Sequence, residues 1–256
     1  MNNVNRYHIY IPSKNRASNC LTANLVKEAG LKFTVVIEPQ DYKKYRKFFS
    51  KKELYVLPKD NKGLWYARNK CKELSIEKRE KAHWQMDDDI RKFAIRKDNK
   101  NKKVEPYKAI LPLEDIFDSY KGLAVIAHRY TSFAFAQKDK LSFNQNPCSS
   151  ILVKNSVEAK WRKGTVDDAD FALQILQQGK STIITNRYLI DTVPHLKQSG
   201  GLTDLANQGQ GRIVRFKQLI EDYPDWFKLG VKKDGTPKLV HCRVWSKFKH
   251  RPTKRT

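Results

Sequence analysis

The sequence predicts an α/β fold: a mostly parallel mixed sheet flanked by helices, Rossmann-like, in a single domain. Three observations carry this. Apolar runs of strand length at residues 7–12, 33–37, 54–57 and 81–86 alternate with segments of helical spacing, the pattern of strand–helix–strand units. Three of these runs end in chemistry-bearing residues: Ser13-Lys14-Asn15-Arg16, Glu38-Pro39 and Asp87-Asp88-Asp89. And 256 residues with 39% apolar content can bury a sizeable core.

The elements follow in order. Leu21, Leu25 and Val26 give residues 18–29 a helical face that Gly30 closes. Asp41 is expected to cap a basic helix running through Phe49, and residues 63–74 place Leu64, Ala67, Cys71 and Leu74 on one helical face. Right-handed crossovers between parallel strands put ligands beyond the carboxyl ends of the strands, where the polar endings above collect. Residues 91–103 carry seven Lys or Arg and read as a strand entering a basic loop, either a solvated hairpin or a phosphate-contacting one. Beyond it the pattern predicts a helix at 112–120, strands at 123–127 and 130–136, a polar loop at 138–147 and a strand at 149–153. A helix at 166–178, strands at 181–185 and 188–190, a flexible Gly200-Gly201 segment and a basic helix at 211–220 follow. From Lys238 a strand leads into a tail in which five of the last ten residues are basic, beside Trp245 and Phe248. That end suits contacts to unstacked bases or is disordered. No internal repeat is present.

Charge narrows the partners. Fifty-one Lys plus Arg against 27 acids give a net charge of +24, which fits a polyanion, most simply nucleic acid. No run of about 18 apolar residues, lipidation motif or basic amphipathic helix points to a membrane. The N-terminus lacks a basic-then-apolar leader, so a cytoplasmic protein is expected. Cys20, Cys71, Cys148 and Cys242 are far apart and form no Cys-x-x-Cys pair, which argues for free thiols and against zinc ribbons or redox dithiols.

The acids stand out against this background. Three adjacent carboxylates repel one another, and a hard divalent cation relieves that repulsion. Strand alternation turns Asp87 and Asp89 the same way and Asp88 elsewhere, an Asp-x-Asp arrangement suited to holding a metal against a nucleotide diphosphate. A solvated acidic turn is the ordinary alternative, less apt in so basic a chain. Asp167, Asp168 and Asp170 form a second cluster at a helix start, where one acid would suffice for capping.

In order, the chain reads strand–Pro12-Ser13-x-x-Arg16, strand–Glu38-Pro39, Gly63-x-x-x-Ala67-Arg68-Asn69, strand–Asp87-Asp88-Asp89, Asp167-Asp168-x-Asp170-Phe171, then the late His195. Over roughly residues 7–201 this set resembles GT-A glycosyltransferases, more narrowly the phage and eukaryotic TET/JBP-associated glycosyltransferases that act on hydroxymethylated pyrimidines in DNA. The resemblance implies a GT-A domain over residues 1–246, with a nucleotide-binding half at 1–90, an acceptor-binding half at 91–246 and a basic tail at 247–256. It implies that Pro12, Ser13 and Arg16 line a nucleoside pocket, that Glu38 lies near the base, and that Arg68 approaches the nucleotide side. Asp87 would hold the ribose or a metal water, and Asp88 counts with the nucleotide-binding set. Asp89, with Asp87 and His195, would ligate Mn²⁺ or Mg²⁺. Asp168 corresponds to the catalytic base of inverting members, with Asp167 as understudy, because an attacking primary alcohol must lose its proton to a carboxylate in reach. Gln174 stands where Arg is common in related enzymes, which leaves a phosphate contact to Lys197. The donor is expected to be a nucleotide sugar, UDP-linked, and the acceptor DNA with its base flipped out or single-stranded. If phage-encoded, the protein would work in the host cytoplasm. Transfer of a second sugar to a glycosylated base would use the same site. A nucleotidyltransferase would want a Gly-rich phosphate entry that is not found, and a non-enzymatic basic nucleic-acid binder would show no metal dependence.

Overall fold

Alternation along the first strand sets the layering. In the computed structural model, which describes residues 4–194, 197–201, 211–242 and 244–255, β1 (Ile9–Pro12) sends Ile9 and Ile11 into one apolar cluster and Tyr10 into another. The first cluster packs against α1 (Leu21–Glu28) through Ala23 and Val26. The second packs against a helix on the opposite face. Helices therefore cover both faces of the sheet, as buried parallel strands require.

β2 (Phe33–Ile37) pairs parallel with β1; α2 (Tyr42–Tyr45) is one short turn; β3 (Leu54–Val56) pairs parallel with β2. α3 (Leu64–Glu77) supplies Ala67, Cys71 and Leu74 to the face of Tyr10. It is followed by β4 (Ala82–Met86), again parallel to β1. A hairpin, β5 (Ile90–Lys97) and β6 (Lys100–Val104), leads to α4 (Pro106–Asp118), which joins α1 on the first face through Ala109, Ile110 and Leu113. The short β7 (Tyr120–Lys121), β8 (Leu123–Tyr130), β9 (Leu141–Phe143), β10 (Ser150–Lys154), α5 (Asp167–Gln177) and β11 (Ser181–Thr192) come next. Then follow α6 (Gly211–Asp222), a hairpin of β12 (Phe227–Val231) and β13 (Pro237–His241), and β14 (Thr253–Lys254).

Among the described residues the main sheet runs β3-β2-β1-β4-β10-β8-β11-β5-β6, with β9 on β11. β10 is antiparallel to both β4 and β8, so β8 runs the same way as β4, and β11 is parallel to β8. The carboxyl ends of β1, β2, β3, β4, β8 and β11 therefore share one edge.

Several expectations are corrected. Asp41 does not cap a helix to Phe49: the helix stops at Tyr45, and Asp41 Oδ2 accepts the backbone N–H of Asn15 at 2.9 Å. Pro112 lies inside α4 rather than at its start, because Pro106 already occupies the first turn. No separate strand forms at 130–136: Tyr130 ends β8 and the chain then makes a 3₁₀ turn at Thr131–Phe133. The two strands at 181–185 and 188–190 are one, with a register irregularity between Ile184 and Leu189. The tail is ordered: β14 pairs with β7, Arg255 N–H donates to Ser119 O at 2.7 Å, and Asn144 Nδ2 donates to His250 O at 2.7 Å. Gly200 and Gly201 form a fitted turn rather than a loose one. Gly200 has φ +82°, and a Cβ there would lie 2.9 Å from Asn15 O.

Glu114 on α4 ties this framework across layers. Buried completely, it accepts Trp84 Nε1–H at 3.0 Å and the Arg6 backbone N–H at 2.8 Å. Replacing it with alanine leaves the buried Trp84 indole N–H and the Arg6 backbone N–H without this partner. Glu114→Ala is expected to destabilise the fold by about 2–4 kcal/mol in urea unfolding; a loss within about 0.5 kcal/mol would contradict this role.

Candidate active site

The parity of β4 decides where each acid goes. His83 and Gln85 face α3, whereas Trp84 and Met86 face α1 and α4. Past the strand end, Asp87 continues on the α3 side and Asp88 on the other. Thr22 at the start of α1 fastens this turn, its hydroxyl donating to Asp87 O at 2.5 Å and accepting from Ile90 N–H at 2.9 Å. Asp87 N–H donates to Ser149 O at 2.7 Å, which locks the other side to the entry of β10.

Arg68 is where the two acidic clusters meet. Its Nη2 donates to Asp87 Oδ1 at 2.9 Å, and its Nη1 to Asp167 Oδ2 at 2.9 Å and Asp168 Oδ1 at 3.1 Å. The side chain is only 6% exposed. Burial opposes its charge, but the three aspartates outweigh burial and hold it protonated. The guanidinium lies 4.3 Å from the Trp161 ring centroid, and Trp161 stacks on Phe171 of α5 at 4.1 Å. Asn69 grips the Trp161 backbone from both sides, at 2.8 and 3.0 Å. Gln85 donates to Arg68 O at 3.0 Å and also faces His83 Nε2, so His83 accepts there; its burial keeps it neutral, with its pKa lowered to about 4.

Asp88 is fully engaged elsewhere. Its carboxylate accepts from the Ser13 hydroxyl and from Arg16 Nη1 at 2.5 Å, and Ser13 also bonds the Tyr45 hydroxyl at 2.6 Å. Arg16 then donates to Ser199 O at 3.0 Å and Gly200 O at 2.9 Å, fastening the Gly200-Gly201 turn to the strand ends. Asp170 is also committed: Arg162 Nε at 2.8 Å, Gln174 Nε2 at 2.8 Å and the Tyr223 hydroxyl at 3.0 Å all bond it. Gln174 further bonds the Lys160 backbone, at 2.9 and 3.1 Å, and so fixes the approach to α5.

A cavity of about 630 Å³ opens at this edge. Pro12, Ser13, Arg16, Glu38, Asp87, Asp88 and Asp89 line it, together with Gly63, Leu64 and Ala67 at the start of α3. No side chain caps that helix start, and a helix N-terminus at a cavity wall suits an anion. Glu38 is buried and held by Asn61 N–H at 2.9 Å, Gln40 Nε2 at 2.6 Å and Lys14 Nζ at 2.9 Å. Lys197 is exposed and does not line the cavity; Arg68, Asp167 and Asp168 are not among its lining residues either and reach it only through the contact of Arg68 with Asp87, and His195 lies outside the described residues. Asn61, Tyr130, Ser149 and Gln198 line it without having been singled out. All but Tyr130, the last residue of β8, sit on loops with no periodic signal, and only their nearness to strand ends could have drawn attention to them.

Asp89 is the acid left unsatisfied. Its Oδ1 is buried without a hydrogen-bond partner, as is Gln198 Oε1 on the same cavity wall. Burial, then Asp87 and Asp88, push the Asp89 carboxyl up to about 7 against the pull of Arg16. Burial and Asp167 do the same for Asp168, also to about 7, with Arg68 opposing. Cys148 nearby is no thiolate: burial, then Asp168, raise it to about 12. Among the described residues no three His, Cys, Asp or Glu side chains gather as a closed metal cluster. The donor set still fits a hard cation that takes its remaining ligands from phosphate oxygens, because Asp89 offers an orphaned oxygen and Asp87 keeps one oxygen off Arg68.

Both raised carboxyls bind protons more tightly in the folded chain than unfolded, where Asp titrates near about 3.9. The stability this brings is full below that value and lost as pH rises through about 7. Buried His8 and His83, lowered to about 4, and His128, lowered to about 3, act oppositely below about 6.5, so the readout is a difference. In chelator-treated protein, melting temperature should fall less steeply between about pH 5 and 8 in Asp89→Asn than in wild type. Parallel curves would contradict the assignment.

The sequence model of the TET-associated glycosyltransferases matches residues 7–201. No individually curated protein matches the chain. Among solved structures, the crystal structure of A197 from STIV is similar at 14% identity and a TM-score of 0.43, over 74% of this chain and 86% of that one. That likeness is too loose to carry an argument about fold or function.

Proposed function

We propose, for a chain that belongs to the TET-associated glycosyltransferase family, that this edge transfers a sugar from a UDP-linked donor to the hydroxymethyl group of a modified pyrimidine in DNA, with inversion. Family membership makes the protein a nucleotide-sugar-dependent glycosyltransferase acting on DNA. The finer reading rests on one observation: the two acidic clusters meet on a single buried guanidinium beside the cavity.

In this reading the nucleoside lies against Pro12, Ser13 and Glu38, and the diphosphate approaches the first turn of α3. Asp89, with Asp87, would hold a divalent cation such as Mn²⁺ or Mg²⁺, which when bound neutralises charge on the departing diphosphate. Asp168 takes the proton from the attacking hydroxymethyl oxygen. A carboxyl raised to about 7 has the affinity a general base needs near neutral pH. Arg68 keeps that group from rising further and holds Asp167 beside it. Asp88 and Arg16 build the wall rather than react, since each is bound into the strand-end network. A net charge of +24 suits a DNA acceptor, because each neutralised phosphate releases a counterion.

The test is incubation with hydroxymethylated DNA, Mn²⁺ or Mg²⁺ and a panel of nucleotide sugars, with mass spectrometry of the digested nucleosides. A hexose- or pentose-adducted pyrimidine nucleoside is expected. Asp168→Asn should lower turnover by roughly 10²- to 10⁴-fold while still binding UDP. Full turnover in Asp168→Asn would remove it as the base.

A further inference from the structure

Three phenylalanines among the described residues expose about half of their surface or more: Phe48, Phe133 and Phe135. Two of them flank a single buried residue in the turn after β8. Ala134 is completely buried against Ala94 of β5 and Leu189 of β11, which pins the turn to the sheet. Phe133 and Phe135, on either side of it, are 58% and 66% exposed. Phe133 lines the mouth of the cavity, its ring edge-to-face with Tyr130 at 6.0 Å. Phe135 lies under the Arg96 guanidinium, 5.0 Å from the ring centroid. Asn101 of β6 donates to Thr131 O at 3.4 Å, which joins the turn to the basic hairpin.

That hairpin differs from a self-neutralised surface. Arg91 and Lys92 pair with Asp191, but Lys97, Lys100, Lys102 and Lys103 form no ion pair with a described acid. A pinned turn presenting one exposed ring, Phe133, on the cavity wall and a second, Phe135, under Arg96 beside it, continued by unneutralised lysines, matches the two requirements of an unstacked nucleotide. The base needs a π-face to replace its lost neighbours, and the phosphates beside it need cations.

We infer that Phe133 is a stacking platform for the extrahelical acceptor base, and that Phe135 with Arg96 and the 97–103 lysines carries the flanking strand. The inference rests on DNA being the acceptor and adds to it which side of the cavity the strand enters. Phe133 thereby favours bases already out of the helix over paired ones.

The experiment measures affinity by fluorescence anisotropy for two duplexes, one fully paired and one with a single bulged hydroxymethylcytosine. Wild type should prefer the bulged duplex. Phe133→Ala should weaken binding to it roughly tenfold and bind the paired duplex within about twofold of wild type. Phe133→Trp should restore the preference, and melting temperature and UDP affinity should stay at wild-type values in both variants because the ring is largely outside the core. If wild type binds both duplexes and Phe133→Ala keeps its preference, this inference fails while the transferase reading stands. If wild type binds neither duplex, the DNA acceptor fails with it. A loss of UDP affinity in Phe133→Ala would instead assign the ring to the donor pocket and overturn its role toward the base.

Discussion

A buried guanidinium shared by three carboxylates is the interaction on which this architecture turns. A charge this deeply buried is tolerated only when it is paired and hydrogen-bonded, and Arg68 is both. The converse holds for the acids: Asp87 at the end of β4 and Asp167 and Asp168 at the start of α5 would repel one another at this range without a cation between them. Neither acidic segment can be assembled here without the other element. A lysine could not replace the arginine, because a single ammonium lacks the planar fork that reaches two segments and stacks on Trp161.

From that point the rest of the edge follows. Gln85 and Asn69 hold α3 to β4 and to the segment before α5, so the guanidinium has little freedom to turn away. A second ion pair, Arg16 with Asp88, lies on the other face of the same acidic run and draws the Gly200-Gly201 turn over the strand ends. The two pairs use Asp87 and Asp88 in opposite directions, and Asp89 is the acid left with an unsatisfied buried oxygen. Several buried polar atoms among the described residues share that condition, and this one stands out by its place in the acidic run on the cavity wall. No helix among the described residues is long and apolar enough to cross a membrane.

Much of this was legible from sequence, and the reasons differ by residue. The first four strands were readable as short runs rich in β-branched, aromatic and other apolar residues, although β3 is only half-buried and β4 carries His83 and Gln85, and the polar endings of β1, β2 and β4 marked the working edge. Strand parity anticipated that Asp88 would part from Asp87. What parity could not supply was the partner: nothing in Ala67-Arg68-Asn69 says that the guanidinium faces inward, since a helix surface offers arginine both choices. Residues 130–136 misled because aromatic and β-branched residues favour strands, yet here Ala134 anchors a turn and the rings point out. For the C-terminal tail the sequence left two alternatives, base contacts or disorder, and the structure sets aside the second. Its composition resembles disorder, but its order comes from backbone pairing with β7, which composition does not encode.

The most direct test of the account is a crystal structure with UDP and Mn²⁺, with manganese located by anomalous scattering. The account predicts one peak on the Asp89 carboxylate, with Arg68 still bridging Asp87 to Asp167 and Asp168. A peak away from Asp89, or an Arg68 that releases Asp168, would contradict it.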